Sequence, residues 1–265
     1  MPDTTRSGTR YELSGPQTAD ALVFIHGLGL NRQIWAPYLP AFNERYRVLS
    51  YDLYGHGESA PPPRAPDLTV YSEQIVELLD TCGIERAALI GFSLGGMINR
   101  RMAMDHGERV SALAILNSPH ERTPEAQKLV EERAFDSAQG GPGATLDATI
   151  ERWFTSAFVQ TNPDYIQQVR DWVLANDALL YAQCRQVLAT GVIELNNPQP
   201  PITHPTLVMT CENDSGSTPG MSHGIASEIE GSETVIVPEL QHMGLAERPE
   251  LFINPVMQFL EKVLN

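Results

Sequence analysis

Cysteine is scarce in this 265-residue chain: Cys82, Cys184 and Cys211 are odd in number, far apart and without a C-x-x-C spacing. That excludes a disulfide framework and the common zinc and redox motifs, and leaves the three as reduced, small apolar fillers. Basic residues are few as well, 18 Lys and Arg against 33 Asp and Glu, for a formal net charge of −15. A phosphate backbone or an anionic membrane surface would be repelled, so neither nucleic acid nor membrane is expected as a partner. An anionic small molecule would be steered away too, unless particular arginines reverse the field locally. No stretch approaches the roughly 18 apolar residues that a membrane span needs, and residues 1–8 contain no apolar core of a leader. A soluble, cytoplasmic protein with no cofactor and no metal is the expectation. Oligomeric state is not legible, and a homodimer stays open.

What is present is a repeated pattern. Ala21–Ile25, Val48–Tyr51 (apolar but for Ser50), Ala87–Ile90 and Ala112–Leu116 are short apolar runs of the kind buried on both faces of a parallel sheet. Between the second and third, Tyr71, Ile75, Leu78, Leu79 and Cys82 fall at helical spacing, with Gly83 placed to end the helix. Alternating strands and helices read as a doubly wound α/β sheet. Arg10 to Leu13 adds an edge strand, and Thr206–Thr210 and Thr234–Val237 resume the sheet before a last helix, Asn254 to Leu264. Between these blocks the alternation stops. Four helical patterns, Thr123 to Gln139, Ala144 to Phe154, Asp164 to Ala175 and Ala178 to Ala189, are broken by Gly- and Asn-rich turns. The expected organisation is a core of residues 1–118 and 199–265, with a helical cap inserted at 119–198. The sheet should have seven or eight strands.

The stretch Gly91-Phe92-Ser93-Leu94-Gly95-Gly96 lies where a strand should pass into a helix. G-x-S-x-G in that setting forms a sharp turn that lifts a serine hydroxyl above the sheet. A serine is a poor nucleophile until a base takes its proton, so a histidine and an orienting acid must be found at the carboxyl ends of other strands. His242 follows the last strand in Leu240-Gln241-His242-Met243-Gly244. His26 and His56 sit in tight Gly-containing turns that suit a structural hydrogen-bonding role. His106 ends a helix, His204 and His223 lie in polar segments, and His120, after the Leu116 strand, is expected to face substrate. For the acid, Asp214 in Cys211–Pro219 is the choice and Glu212 the reserve. The order Ser93, Asp214, His242 then places each group after a strand, in the chain order of a known triad. Two N–H donors are needed for the oxyanion: that of Leu94, after the nucleophile, and that of Leu28, in the turn His26-Gly27-Leu28-Gly29.

These segments together resemble the α/β-hydrolase superfamily over nearly the whole chain: the His-Gly turn at His26, D-x-x-G-x-G-x-S at Asp52 to Ser59, the elbow, the Asp214 loop, and H-M-x-x-x-E-x-P-E at His242 to Glu250. Within it the chain is most similar to the enol-lactonases of the β-ketoadipate pathway and their small-ester relatives, through Glu151-Arg152-Trp153-Phe154-Thr155. That resemblance implies that Arg152 and Trp153 face the pocket and that Arg152 pairs with a substrate carboxylate. Two departures stand out: Pro219 comes five residues after Asp214 where four are usual, and no N-terminal hairpin strand is visible. The expected activity is hydrolysis of an ester or lactone of a small carboxylated compound through an acyl-enzyme. An activated amide or a C–C bond on the same triad is the alternative within the class, although Phe92 and the His26–Leu30 turn do not match the C–C hydrolases. Ser93 excludes the aspartate-nucleophile chemistry of dehalogenases and epoxide hydrolases. A ligand sensor of the same fold that does not turn over is the alternative outside it.

Overall fold

The computed structural model of the chain describes residues 2–264. The chain opens with β1 (Asp3–Thr4), β2 (Arg10–Ser14), β3 (Ala21–Ile25), the short helix α1 (Leu39–Asn43), β4 (Arg47–Tyr51), α2 (Leu68–Thr81), β5 (Ala87–Phe92), α3 (Leu94–Asp105) and β6 (Val110–Leu116). Five helices follow without a strand: α4 (Pro124–Gly140), α5 (Leu146–Trp153), α6 (Ser156–Thr161), α7 (Pro163–Leu174) and α8 (Ala178–Thr190). The chain then returns through β7 (Thr206–Cys211), α9 (Pro219–Ser227), β8 (Glu233–Val237), α10 (Gly244–Glu247) and α11 (Glu250–Val263).

All the strands join one eight-stranded sheet in the order β1-β2-β4-β3-β5-β6-β7-β8. β1–β2 and β2–β4 are antiparallel and every other pair is parallel. The apolar runs behave as their composition dictates: β3, β5 and β7 are buried at every position, because helices cover both faces there. The edge strand β8 keeps one exposed and three half-buried residues. The hairpin strand that the sequence hides is β1. It is only two residues long, too short to show alternation, and the turn at Gly8 (φ 89°) folds it onto β2, with Thr5 N–H donating to Thr9 O at 3.0 Å.

Helix starts follow their caps. α2 begins where the Asp67 carboxylate accepts from Val70 N–H at 2.6 Å, and the chain leaves it through Gly83 at φ 61°. α11 starts at Glu250, one turn before the expected Asn254, with Pro255 inside the helix. α6 has six residues and shows no period in sequence; Thr155 caps it by accepting from Phe158 N–H. Among the described residues no helix is long and apolar enough to cross a membrane, and no cluster of His, Cys, Asp and Glu could hold a metal ion.

The consequence for function is directional. Because β3, β5, β6, β7 and β8 run parallel, the residues that follow them emerge at one edge of the sheet.

Candidate active site

Ser93 stands between β5 and α3 with φ 55° and ψ −112°, a conformation that L-residues rarely adopt and that costs about 1–3 kcal/mol. Two things hold it there. Its N–H donates to Leu116 O at 2.8 Å, tying the turn to β6. The flanking glycines let the turn close: a Cβ on Gly91 would lie 2.2 Å from Gly95 O, and one on Gly95 2.3 Å from Ile25 O, both against rigid backbone.

His242, after β8, points its Nε2 at Ser93 Oγ from 3.2 Å, and its Nδ1 lies 2.7 Å from Asp214 Oδ2, after β7. A carboxylate only accepts, so Nδ1 carries the hydrogen and Nε2 presents a lone pair to the serine hydroxyl. Asp214 is 2 % exposed. Its Oδ1 accepts from the N–H groups of Gly216 and Ser217, both at 2.9 Å, and its Oδ2 also accepts from Asn117 Nδ2 at 3.0 Å. Burial pushes the Asp214 carboxyl up, but the facing imidazole, the Asn117 amide and the Ser217 N–H outweigh it, and its pKa ends below the ordinary carboxylate value. Glu212, the reserve, lies outside: it is exposed and accepts from Glu239 N–H at 3.0 Å. The longer spacing to Pro219 is taken up by the turn that wraps Asp214, after which Thr218 caps α9.

The amides of Leu28, after β3, and Leu94, the first residue of α3, have no backbone acceptor of their own among the described residues. Leu28 lines the same cavity as Ser93 and His242. Beneath it, His26 Nδ1–H donates to Gly27 O at 2.8 Å while Nε2 accepts from Leu53 N–H at 2.9 Å. Only a neutral imidazole can do both, and burial lowers its pKa to about 4. His56, 5.4 Å away between ring centroids, is lowered to about 3 by burial and then by His26. Asp52 completes this substructure by pairing with the Arg32 guanidinium and accepting from Arg32 N–H at 2.8 Å and Glu58 N–H at 2.9 Å.

The cavity above Ser93 has a volume of about 150 Å³, a size class that accommodates a small ring. Trp153 and Arg152, from α5, both line it. The indole lies 6.1 Å from the His242 ring. Two ties join this segment to the histidine loop: Met243 N–H donates to Trp153 O at 2.8 Å, and Glu247 accepts from Thr155 N–H and Oγ1–H, both at 2.7 Å. Arg152 is half-buried, and burial, then the charges of Arg133 and Arg185, bring its pKa down to about 10.

His120 does not face this cavity, which corrects the expectation from sequence. Its ring packs over Gly224 of α9, where a Cβ would come within 2.8 Å of Nδ1, and Nε2 lies 3.1 Å from Glu228 Oε1. The ring has a carboxylate and a glycine to fill on the far side of Pro119, and it turns there. Two features escaped the sequence reading. Asn117 is one; its signal is an Asn at φ 47° directly after a buried strand, a conformation that Asn tolerates. The other is that Arg122, Arg133 and Arg185 line the cavity beside Arg152. Arg133 and Arg185, on cap helices, and Arg122, in the segment before them, carry no local pattern that separates them from solvated arginines.

The comparisons with known proteins bear on the fold and the family. The family model for the alpha/beta hydrolase fold matches residues 20–249. The chain is 28% identical over 253 residues to 3-oxoadipate enol-lactonase 2 of Acinetobacter baylyi, covering 95% of this chain and 92% of that protein. It is 26% identical over 239 residues to (E)-2-((N-methylformamido)methylene)succinate hydrolase of the same organism, covering 90% and 89%. Among solved structures, the enol-lactonase from Burkholderia xenovorans LB400 superimposes with a TM-score of 0.88 at 27% identity, over 98% of this chain and 100% of that one. With a family match across most of its length and hydrolases as its relatives, the chain belongs to the α/β-hydrolase superfamily.

Proposed function

We propose that this protein is a serine hydrolase that cleaves an ester or lactone bond of a small carboxylated metabolite through an acyl-enzyme. The observation that carries the reading is the hydrogen-bonded line from Ser93 Oγ through both nitrogens of His242 to Asp214, at 3.2 and 2.7 Å. Ser93 Oγ attacks the carbonyl carbon as His242 Nε2 takes its proton. The same proton passes to the departing alkoxide or enolate oxygen, leaving an acyl ester on Ser93. A water then repeats the attack with His242 again as base, and the acid leaves. Asp214 holds the imidazole in the tautomer that accepts from serine and stabilises the imidazolium. The Leu28 and Leu94 N–H groups receive the oxyanion, each worth about 3 kcal/mol to the transition state. Arg152 pairs with a carboxylate of the substrate. The likeness to 3-oxoadipate enol-lactonase 2 supports a lactone or ester as the scissile group.

A second reading, an amide bond cleaved on the same triad, is favoured by the relative named for a formamido compound. The experiment that tests the class is labelling with a fluorophosphonate: the folded protein should be modified at Ser93, and Ser93→Ala should lose about 10⁶ in turnover. A folded protein that stays unlabelled would end the serine-hydrolase reading. Matched lactones, aryl esters and amides, each with and without a carboxylate, then separate the two bond types.

A further inference from the structure

The cavity above Ser93 holds four arginines, Arg122, Arg133, Arg152 and Arg185, and no Asp or Glu lines it. In a chain with 33 acidic residues that is unusual placement. Eight arginines elsewhere are paired with Asp or Glu. None of the four in the cavity forms an ion pair among the described residues.

Their hydrogen bonds sort them. Arg122 is committed to the protein, donating to Gln127 Oε1 at 3.1 Å, Ala189 O at 3.0 Å and Leu188 O at 3.3 Å. Arg185, 7 % exposed, spends one N–H on Tyr181 Oη at 3.1 Å, and its guanidinium carbon lies 6.0 Å from that ring's centre. The guanidinium groups of Arg133 and Arg152 have no hydrogen-bond partner among the described residues. These charges also feel one another: after burial, Arg133 and Arg185 are what lower the pKa of Arg152, and Arg185 does the same to Arg133. Like charges held together in a partly desolvated space are costly until an anion joins them.

The two free guanidinium groups and that of Arg185, which spends only one N–H, occupy different places. Arg152 is on α5 beside the acid loop, its Nη1 3.6 Å from where a Cβ of Gly216 would be. Arg133 and Arg185 come from α4 and α8, which pack on each other. One carboxylate saturates one guanidinium bidentately, so a single anion on Arg152 leaves the other two unanswered.

Resting on the reading of Ser93 as nucleophile, we propose that the acyl part of the substrate carries two carboxylates besides the scissile carbonyl. One binds Arg152, and the other binds a second anion subsite formed by Arg133 and Arg185. The subsite selects for charge number, and it explains how a strongly acidic protein captures a dianion.

Calorimetry on the intact protein with product-like acids tests this. Butyrate, succinate and tricarballylate place zero, one and two carboxylates beyond the one at Ser93, and 3-phosphonopropionate replaces the added carboxylate of succinate by a phosphonate. Each added carboxylate should tighten binding about ten- to hundredfold, as charge-assisted hydrogen bonds do. The step from succinate to tricarballylate should collapse in Arg133→Gln and in Arg185→Gln, and the step from butyrate to succinate in Arg152→Gln. Equal binding of succinate and tricarballylate to the wild-type protein, which needs no variant to fold, overturns the proposal. So does 3-phosphonopropionate binding more tightly than tricarballylate, since the cavity would then be built for a phosphate. Fluorophosphonate labelling of the same samples keeps the two readings apart. An intact carboxylate ladder without labelling retires the nucleophile and leaves the subsite, whereas labelling without the ladder retires the subsite alone.

Discussion

Lowering the pH from 8 to 5 should remove about 4 kcal/mol of folding stability through two histidines that take no part in the proposed chemistry. His26 and His56 have pKa values of about 4 and 3 in the folded protein against an ordinary 6.5. Both shifts have a structural cause. A proton on His26 Nε2 would evict the Leu53 N–H that it accepts, and a proton on His56 Nε2 would be buried with no acceptor among the described residues. In the unfolded chain both rings bind a proton as the pH passes below 6.5, so the unfolded state holds more protons and stability falls with falling pH. At pH 5 each ring accounts for about 2 kcal/mol, with the loss complete only near the folded pKa values. Urea unfolding between pH 8 and 5, with a constant m-value, measures it directly. The midpoint should be level from pH 8 to 7 and then decline, and His56→Gln should halve the decline. A stability that stays level down to pH 5, or a decline unchanged in His56→Gln, would refute the assignment of neutral buried rings.

Three further outcomes are expected. Asn117→Ala deprives the Asp214 carboxylate of a charge-assisted hydrogen bond, so kcat on an aryl ester should fall at least about tenfold while KM changes little; an unchanged kcat would show that the carboxylate does not need the amide. Gly95→Ala drives a Cβ to 2.3 Å from Ile25 O and should lower stability by about 3 kcal/mol or more, read as the urea midpoint. Thr155→Val removes both the α6 cap and one of the two bonds to Glu247, and should cost about 1–2 kcal/mol by thermal unfolding.

The parallel core was legible because its central strands β3 and β5 are continuous apolar runs, the composition that burial on two faces favours. Ser93, Asp214 and His242 could be placed because a parallel sheet sends every strand's carboxyl end to the same edge, so loop position in sequence translates into proximity. His120 shows the limit of that translation. A residue after a strand can turn to either side, and His120 turned toward Gly224 of α9 and Glu228 just beyond it, over 100 positions away in sequence. β1 and α6 were hidden by brevity, since two or six residues hold less than a readable period. The arginine cluster was hidden for a different reason. Which face of a cap helix looks inward depends on how helices from 124 to 190 pack on one another, and arginine has the same local pattern on either face.

The two hydrogen bonds that Thr155 donates to Glu247, with the neighbouring link from Met243 to Trp153, mean that the indole lining the cavity and the imidazole proposed to move the proton are mounted on one bracket. Under the proposed function, specificity and rate would therefore not be separable modules. A lid transplanted from another enzyme would arrive without its fastening, and the imidazole would lose its aim along with the old selectivity. Redesign should exchange the 152–155 segment and the 243–247 segment as a single cassette.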